Sequence, residues 1–301
     1  MEFIEGLKGQ PFGYYGGKQR MVSKILPLIP KHTVYIEPFF GGGSVFFRKP
    51  YPAISNNSHY REVINDFDER AVNFFRVLQD KNKFEILQHK LFHTPYSQEE
   101  YSIASRILKG LVESDDIGKA WAWFVQCQMS FSYKIFGGWG TNTHTTDLAK
   151  TWCNKLDLKR FCDRLMSTYI CCGDAIDCLK KFNSPQSFAY IDPPYIGTSC
   201  GHYTGYTEDQ YKMLLDFLDH EFEGSFILSG YNTELANNYG WEKVEFKAIN
   251  SSSGSVNVDK SVKHVRTNTE RTEVLWVRGN TKPVREDIQK CYDSDKFDCF
   301  N

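Results

Sequence analysis

Short apolar runs, each closed by a glycine, a proline or an acid, recur along this chain at spacings too wide for simple hairpins. Residues 34–40, 62–66, 167–172, 187–191, 225–229, 242–249 and 272–278 are rich in β-branched and aromatic positions, as buried strands require. Helical periodicity fills most of the intervals. Strands alternating with helices predict an α/β fold built on a mainly parallel, doubly wound sheet. Only a loop separates the last two runs, which predicts a hairpin at a sheet edge. From about Ala71 to Arg164 the pattern changes to successive helices without strands. It reads as a helical subdomain (71–164) inserted into a sheet domain (1–70 and 165–280), with residues 281–301 as a tail.

Two strand ends carry candidate chemistry. The run Ser187–Ile191 passes straight into Asp192-Pro193-Pro194-Tyr195. Consecutive prolines stop both helix and ladder and hold each preceding residue extended, giving a rigid corner with one carboxylate and one ring. Ligands of open α/β sheets sit outside the carboxyl ends of the strands, where this corner lies; a stiff turn without function fits the same residues. The run Val34–Phe40 is followed by Gly41-Gly42-Gly43-Ser44 and an apolar helix start. Strand, glycine turn and helix form a nucleotide-binding first turn, but the third glycine of the dinucleotide fingerprint is missing. Glu37 at the strand end makes a diphosphate less welcome than a cofactor bearing hydroxyls or an ammonium group. Asp66 closes the next strand, roughly 20 residues past the glycines, where such folds hold a ribose diol. A helix cap is its other reading, and the glycine turn before it favours the ribose.

Together these segments resemble a known family. Glu37-Pro-Phe-Phe-Gly-Gly-Gly-Ser-Val45 is similar to the cofactor motif of S-adenosylmethionine-dependent DNA methyltransferases, and Asp192-Pro-Pro-Tyr195 to their catalytic motif. Tyr14-Tyr-Gly-Gly-Lys18 resembles the N-terminal segment of the D12 class (Dam-type, alpha group) of N6-adenine enzymes, and Ser229-Gly-Tyr231 and Arg271–Trp276 also look like that class. The resemblance implies a Rossmann-like methyltransferase sheet whose insert recognises the DNA target. It also implies that Tyr14, Gly16, Gly17, Lys18, Glu37, Pro38, Phe39, Gly41, Gly43 and Ser44 surround S-adenosyl-L-methionine. Asp66 would then take its ribose and Asp174, after Cys172-Gly173, its adenine amine; a helix N-cap is the second reading of Asp174. GATC-methylating members carry a lysine where this chain has Gly13, and an Arg-Asn-rich hairpin that the insert lacks. The target site is therefore expected to differ from GATC.

Composition adds limits. A chain of 301 residues, 41% hydrophobic and 24% charged, can bury a substantial core. No signal segment and no apolar run of bilayer length is present, so a cytoplasmic enzyme without membrane contact is expected. Nine cysteines without Cys-x-x-Cys spacing read as reduced thiols, with Cys171-Cys172 in the core, and no cluster has zinc spacing. His32, His59, His93 and His202 belong to no motif and read as surface or packing residues. A net charge of −1 requires any nucleic-acid footprint to be local. Two clusters qualify, Lys155, Lys159, Arg160 and Arg164, and Lys260, Lys263, His264, Arg266 and Arg271 after Ser251–Ser255; either equally fits a solvated face. In the insert, the stretch Gln126–Gly140 mixes aromatics, glycines and Lys134. A duplex-contacting loop using Lys134 and Trp139, with Lys263 and Arg266, is one reading; a hairpin of packed rings is the other.

The chemistry implied by the resemblance is N6 methylation of a flipped-out adenine in double-stranded DNA. The Asp192 carboxylate and Pro193 carbonyl accept the two amine hydrogens, Pro194 stiffens the corner and Tyr195 stacks on the base. Neither a metal nor a covalent enzyme intermediate is called for, and a cognate restriction endonuclease is a possible partner. Cytosine N4, RNA adenine or a protein amide as acceptor, or a non-catalytic DNA-binding role, would use the same residues differently.

Overall fold

The computed structural model describes residues 3–52, 59–141, 147–196, 206–249 and 270–279. Nine strands are present among them: β1 (Phe3–Ile4), β2 (Val34–Glu37), β3 (Tyr51–Pro52), β4 (Arg61–Asp66), β5 (Thr168–Cys172), β6 (Ser187–Ile191), β7 (Ser225–Tyr231), β8 (Glu242–Ile249) and β9 (Glu270–Arg278). β1 and β3 form a small antiparallel pair, and the other seven make one sheet in the order β5-β4-β2-β6-β7-β9-β8. Pairing is parallel from β5 to β7, while β9 runs antiparallel to both β7 and β8. The expected hairpin of the last two strands forms, with the final strand inside the sheet and β8 at the edge.

Side-chain alternation explains why the inner strands are apolar throughout. Tyr35, Ile64, Phe188, Tyr190, Ile227 and Leu275 face one side, and Ile36, Val63, Ala189, Ile191, Leu228, Val274 and Trp276 face the other. Helices Ala175–Lys181 and Glu208–His220 cover the second face. The N-terminal segment and the helices Glu69–Gln79, Lys81–Phe92, Gln98–Leu108, Asp116–Met129 and Lys159–Leu165 cover the first, in one continuous core that reaches Trp123 and Phe124. Each fully buried aliphatic or aromatic side chain contributes roughly 1.5–3 kcal/mol. Asp116–Met129 is buried on nearly every side because it lies within this helical layer.

β5 is the sheet's other edge, and this corrects the expectation for its cysteines. Cys172 is exposed and Cys171 half-buried, since an edge strand has neighbours on one side only. Arg164 departs from its supposed surface cluster as well. It is buried, its Nη1 lies 2.5 Å from Glu62 Oε2, and Lys49 pairs with the same carboxylate. Burial alone would raise the Glu62 pKa, but the two cations overcome it and hold the group at about 2. This triad fastens the helix Lys159–Leu165 onto β4.

Candidate active site

The sheet order reverses between β2 and β6, whose chains lead to opposite sides of the sheet. The crevice outside their carboxyl ends is where such sheets bind ligands, and both motif corners open there.

The corner after β2 is shaped by backbone freedom. Gly41 and Gly43 adopt φ of +51° and +69°, in the left-handed region that favours glycine. A Cβ on Gly41 would stand 2.7 Å from the Tyr14 ring, and one on Gly43 2.5 Å from Phe40. Asp66 Oδ2 accepts the Gly41 N–H at 2.8 Å, and its Oδ1 accepts from Asp68 at 2.9 Å. Burial pushes this carboxyl up to about 6. Asn65 donates to the carbonyls of Pro38 and Gly173, both at 3.0 Å, tying the turn to the one after β5. Glu37 is only 2% exposed and accepts the Tyr35 hydroxyl at 2.5 Å. Its burial raises the carboxyl to about 8, against the opposing pull of that bond and of Lys49. Ser44 donates to Gln10, a buried residue of the N-terminal segment. Phe39 meets Tyr206 edge-on at 5.9 Å, and Phe67, just past Asp66, is 80% exposed. Asp174 caps the helix Ala175–Lys181, accepting from Ile176 and Asp177 at 2.8 and 3.2 Å.

The corner after β6 is shaped by restraint. Pro193 is buried and Pro194 half-buried, and Asp192 stands at the crevice. Lys18, brought in by the N-terminal segment, lies 2.9 Å from Asp192 Oδ1 and 4.5 Å from the Tyr195 ring centroid. The segment itself turns at Gly16 and Gly17, whose N–H donates to the Tyr14 carbonyl at 3.1 Å. Desolvation raises the Asp192 carboxyl, and Lys18 works against that rise. The Tyr195 hydroxyl donates to Glu273 Oε2 at 2.9 Å and lies 3.2 Å from Ser229 Oγ. Tyr231 packs its ring edge-on against Tyr195 at 4.5 Å.

The structure thus brings the N-terminal segment, the glycine corner and the Asp-Pro-Pro-Tyr corner to one crevice. These are the ordered motifs of one enzyme class. A family model for D12 class N6 adenine-specific DNA methyltransferases matches residues 14–253. The chain belongs to this class. Among individual relatives it is 24% identical over 264 residues to the type II methyltransferase M1.LlaDCHI of Lactococcus lactis subsp. cremoris, covering 80% of this chain and 88% of that protein. It is also 24% identical over 204 residues to a DNA adenine methylase of Vibrio cholerae serotype O1, covering 66% and 69%. A shorter match, 31% over 91 residues, joins it to the DNA N-6-adenine-methyltransferase of Escherichia phage P1, spanning 30% of this chain and 11% of that one.

Within this adenine-specific methyltransferase, the aromatic stretch Gln126–Gly140 begins in the last turn of the helix Asp116–Met129 and continues into a loop. Ser132, Tyr133 and Phe136 adopt φ between 54° and 60°, uncommon for residues other than glycine. Buried Gln126 accepts the Phe136 N–H at 3.2 Å and holds the loop. Lys134 is exposed; Trp139 is half-buried beside Tyr96, at 5.7 Å. The exposed rings are Phe131, Tyr133 and Phe136, and Tyr133 lies over Gly13 so closely that a Cβ there would meet it at 2.2 Å. Lys263 and Arg266 lie outside the described residues. Among those described, no group of three or more His, Cys, Asp or Glu could hold a metal ion, and no helix is long and apolar enough to cross a membrane.

Proposed function

We propose that this enzyme transfers a methyl group from S-adenosyl-L-methionine to the N6 amine of an adenine rotated out of double-stranded DNA. The observation that carries the reading is Asp192, poised at the crevice next to the glycine corner and held by an ion pair at its edge. The crevice fits the cofactor on chemical grounds. Gly41 and Gly43 give the turn the left-handed backbone it needs, Asp66 sets a carboxylate beside it, and Phe39, Tyr206 and Phe67 offer flat apolar surface. When bound, S-adenosyl-L-methionine supplies a methyl group activated on a sulfonium.

The chain's own residues do the rest. Tyr14, Gly16, Gly17, Lys18, Pro38 and Ser44 wall the pocket with the glycine turn, Asp66 is offered to the ribose and Asp174 to the adenine amine. An adenine N6 nitrogen is a poor nucleophile while its lone pair is delocalised. The Asp192 carboxylate and Pro193 carbonyl accept its two N–H bonds and favour the tetrahedral geometry that attack requires. Lys18 must yield part of its hold on Asp192 as the amine arrives. Tyr195 stacks on the base, offsetting part of the few kcal/mol that unstacking costs.

In this reading the helical segment 71–164 recognises the target. Lys134 and the exposed rings of its loop face DNA, helped by Lys263 and Arg266. A restriction endonuclease would be a partner sharing the target site, and the cytoplasm the place of action. The test is methyl transfer from labelled S-adenosyl-L-methionine to unmethylated genomic DNA, followed by nucleoside analysis. Label in N6-methyladenine is expected. Label in N4-methylcytosine, or in RNA or protein alone, would overturn the assignment of the acceptor.

A further inference from the structure

Glu273 is a carboxylate in a place where sheet packing alone does not call for one. It lies on β9 opposite Tyr231 of β7, at the end of the sheet where Asp192 stands. Its neighbours Val274 and Leu275 are buried core residues, while its own side chain turns toward the crevice and accepts the Tyr195 hydroxyl at 2.9 Å. Ser229, two residues before Tyr231 on the same face of β7, stands 3.2 Å from that hydroxyl. The Tyr231 ring meets Tyr195 edge-on, at 4.5 Å and 69°. Lys18 approaches the Tyr195 ring while pairing with Asp192. The Tyr195 ring is therefore held at its hydroxyl, against the Tyr231 ring and by Lys18 over one face.

A hydroxyl that needed only an acceptor would find one in Ser229. A half-buried carboxylate is costly to desolvate, and its pKa is indeed raised by burial, with Lys18 opposing. A charged acceptor gives a shorter and stronger bond than a neutral one, and so a more firmly fixed ring.

We propose that Glu273 is a positioning residue: by holding the Tyr195 hydroxyl it fixes the ring whose face receives the acceptor base. This rests on the methyltransferase reading above. It predicts that Glu273 acts on the transfer step through Tyr195 and leaves cofactor binding alone.

The test compares wild type, Glu273→Ala, Glu273→Gln, Tyr195→Phe and the Glu273→Ala/Tyr195→Phe double variant. Each is measured for single-turnover methylation of unmethylated genomic DNA, for S-adenosyl-L-methionine Kd and for thermal midpoint. Glu273→Ala and Tyr195→Phe should each slow transfer about tenfold, as loss of a hydrogen bond to a charged group would, with cofactor Kd within about twofold. The double variant should be no slower than either single, because both remove the same bond. Glu273→Gln, which keeps a carbonyl acceptor, should stay within about threefold of wild type. Losses that multiply, or a Tyr195→Phe enzyme at the wild-type rate, would overturn the role; the latter decides even if Glu273→Ala does not fold. A wild-type protein that methylates no DNA would sink the functional reading itself, and this inference with it.

Discussion

The two corners that meet at the crevice solve opposite problems. After β2 the chain must turn sharply, and it does so through glycines whose φ values exclude most side chains. After β6 it must hold one carboxylate still, and it does so by forbidding motion with two prolines. Their polar groups differ in the same way. Asp66 and Asn65 spend hydrogen bonds on the backbone of the first corner, fixing its shape. Asp192 is held by the side chain of Lys18, a contact that the proposed function exchanges for an incoming amine. In the proposed function, one corner binds and the other reacts.

That contrast can be broken from the binding side. The largest stability effect is expected for Gly43→Ala, whose Cβ would meet Phe40 at 2.5 Å and Phe47 at 2.8 Å in a left-handed conformation. A loss on the order of 1–3 kcal/mol should appear in denaturant titration, together with weakened cofactor binding. Asn65→Ala removes both ties between the turns after β2 and β5. It should cost about 1–2 kcal/mol and loosen the cofactor less than Gly43→Ala does; unchanged stability would show that the turns hold without it.

The smallest effect at neutral pH is expected at His32, just before β2 and at the end of that strand away from the crevice. Its Nδ1 meets the Pro30 carbonyl at 2.7 Å and its Nε2 the Tyr60 hydroxyl at 2.8 Å, among the rings of Tyr35, Tyr60 and Phe188. Desolvation, with the Lys49 charge, lowers its pKa from 6.5 to about 4. The unfolded chain takes up this proton first as pH falls. The His32 contribution is thus fully present above pH 6.5 and lost as pH drops toward about 4. Thermal midpoints of His32→Gln should be flatter than wild type across that window, and parallel curves would contradict the assignment.

Much of this molecule was legible in its sequence, for physical reasons that also mark the limits. The strands of the large sheet are short-range patterns, and the glycine and proline corners are backbone restrictions written in consecutive residues. Contacts between distant segments leave no such trace. Lys18 reaching Asp192, Gln10 holding Ser44 and Arg164 buried on Glu62 each depend on how elements pack. Arg164 read as a surface charge because its neighbours Lys159 and Arg160 are charged. Cys172 read as core because nothing local marks β5 as an edge. Glu273 lay in a segment resembling the class, yet only the β7–β9 register carries it to Tyr195. Phe67 could have been found from its place directly after Asp66, where a strand end at the crevice has no core left to enter.

The most direct test separates binding from reaction in one protein. Asp192→Ala should bind S-adenosyl-L-methionine with a Kd within a few-fold of wild type, while N6-methyladenine formation on DNA falls by at least on the order of 10²–10³. An undiminished methylation rate, or cofactor binding lost along with transfer, would contradict the division of labour between the two corners.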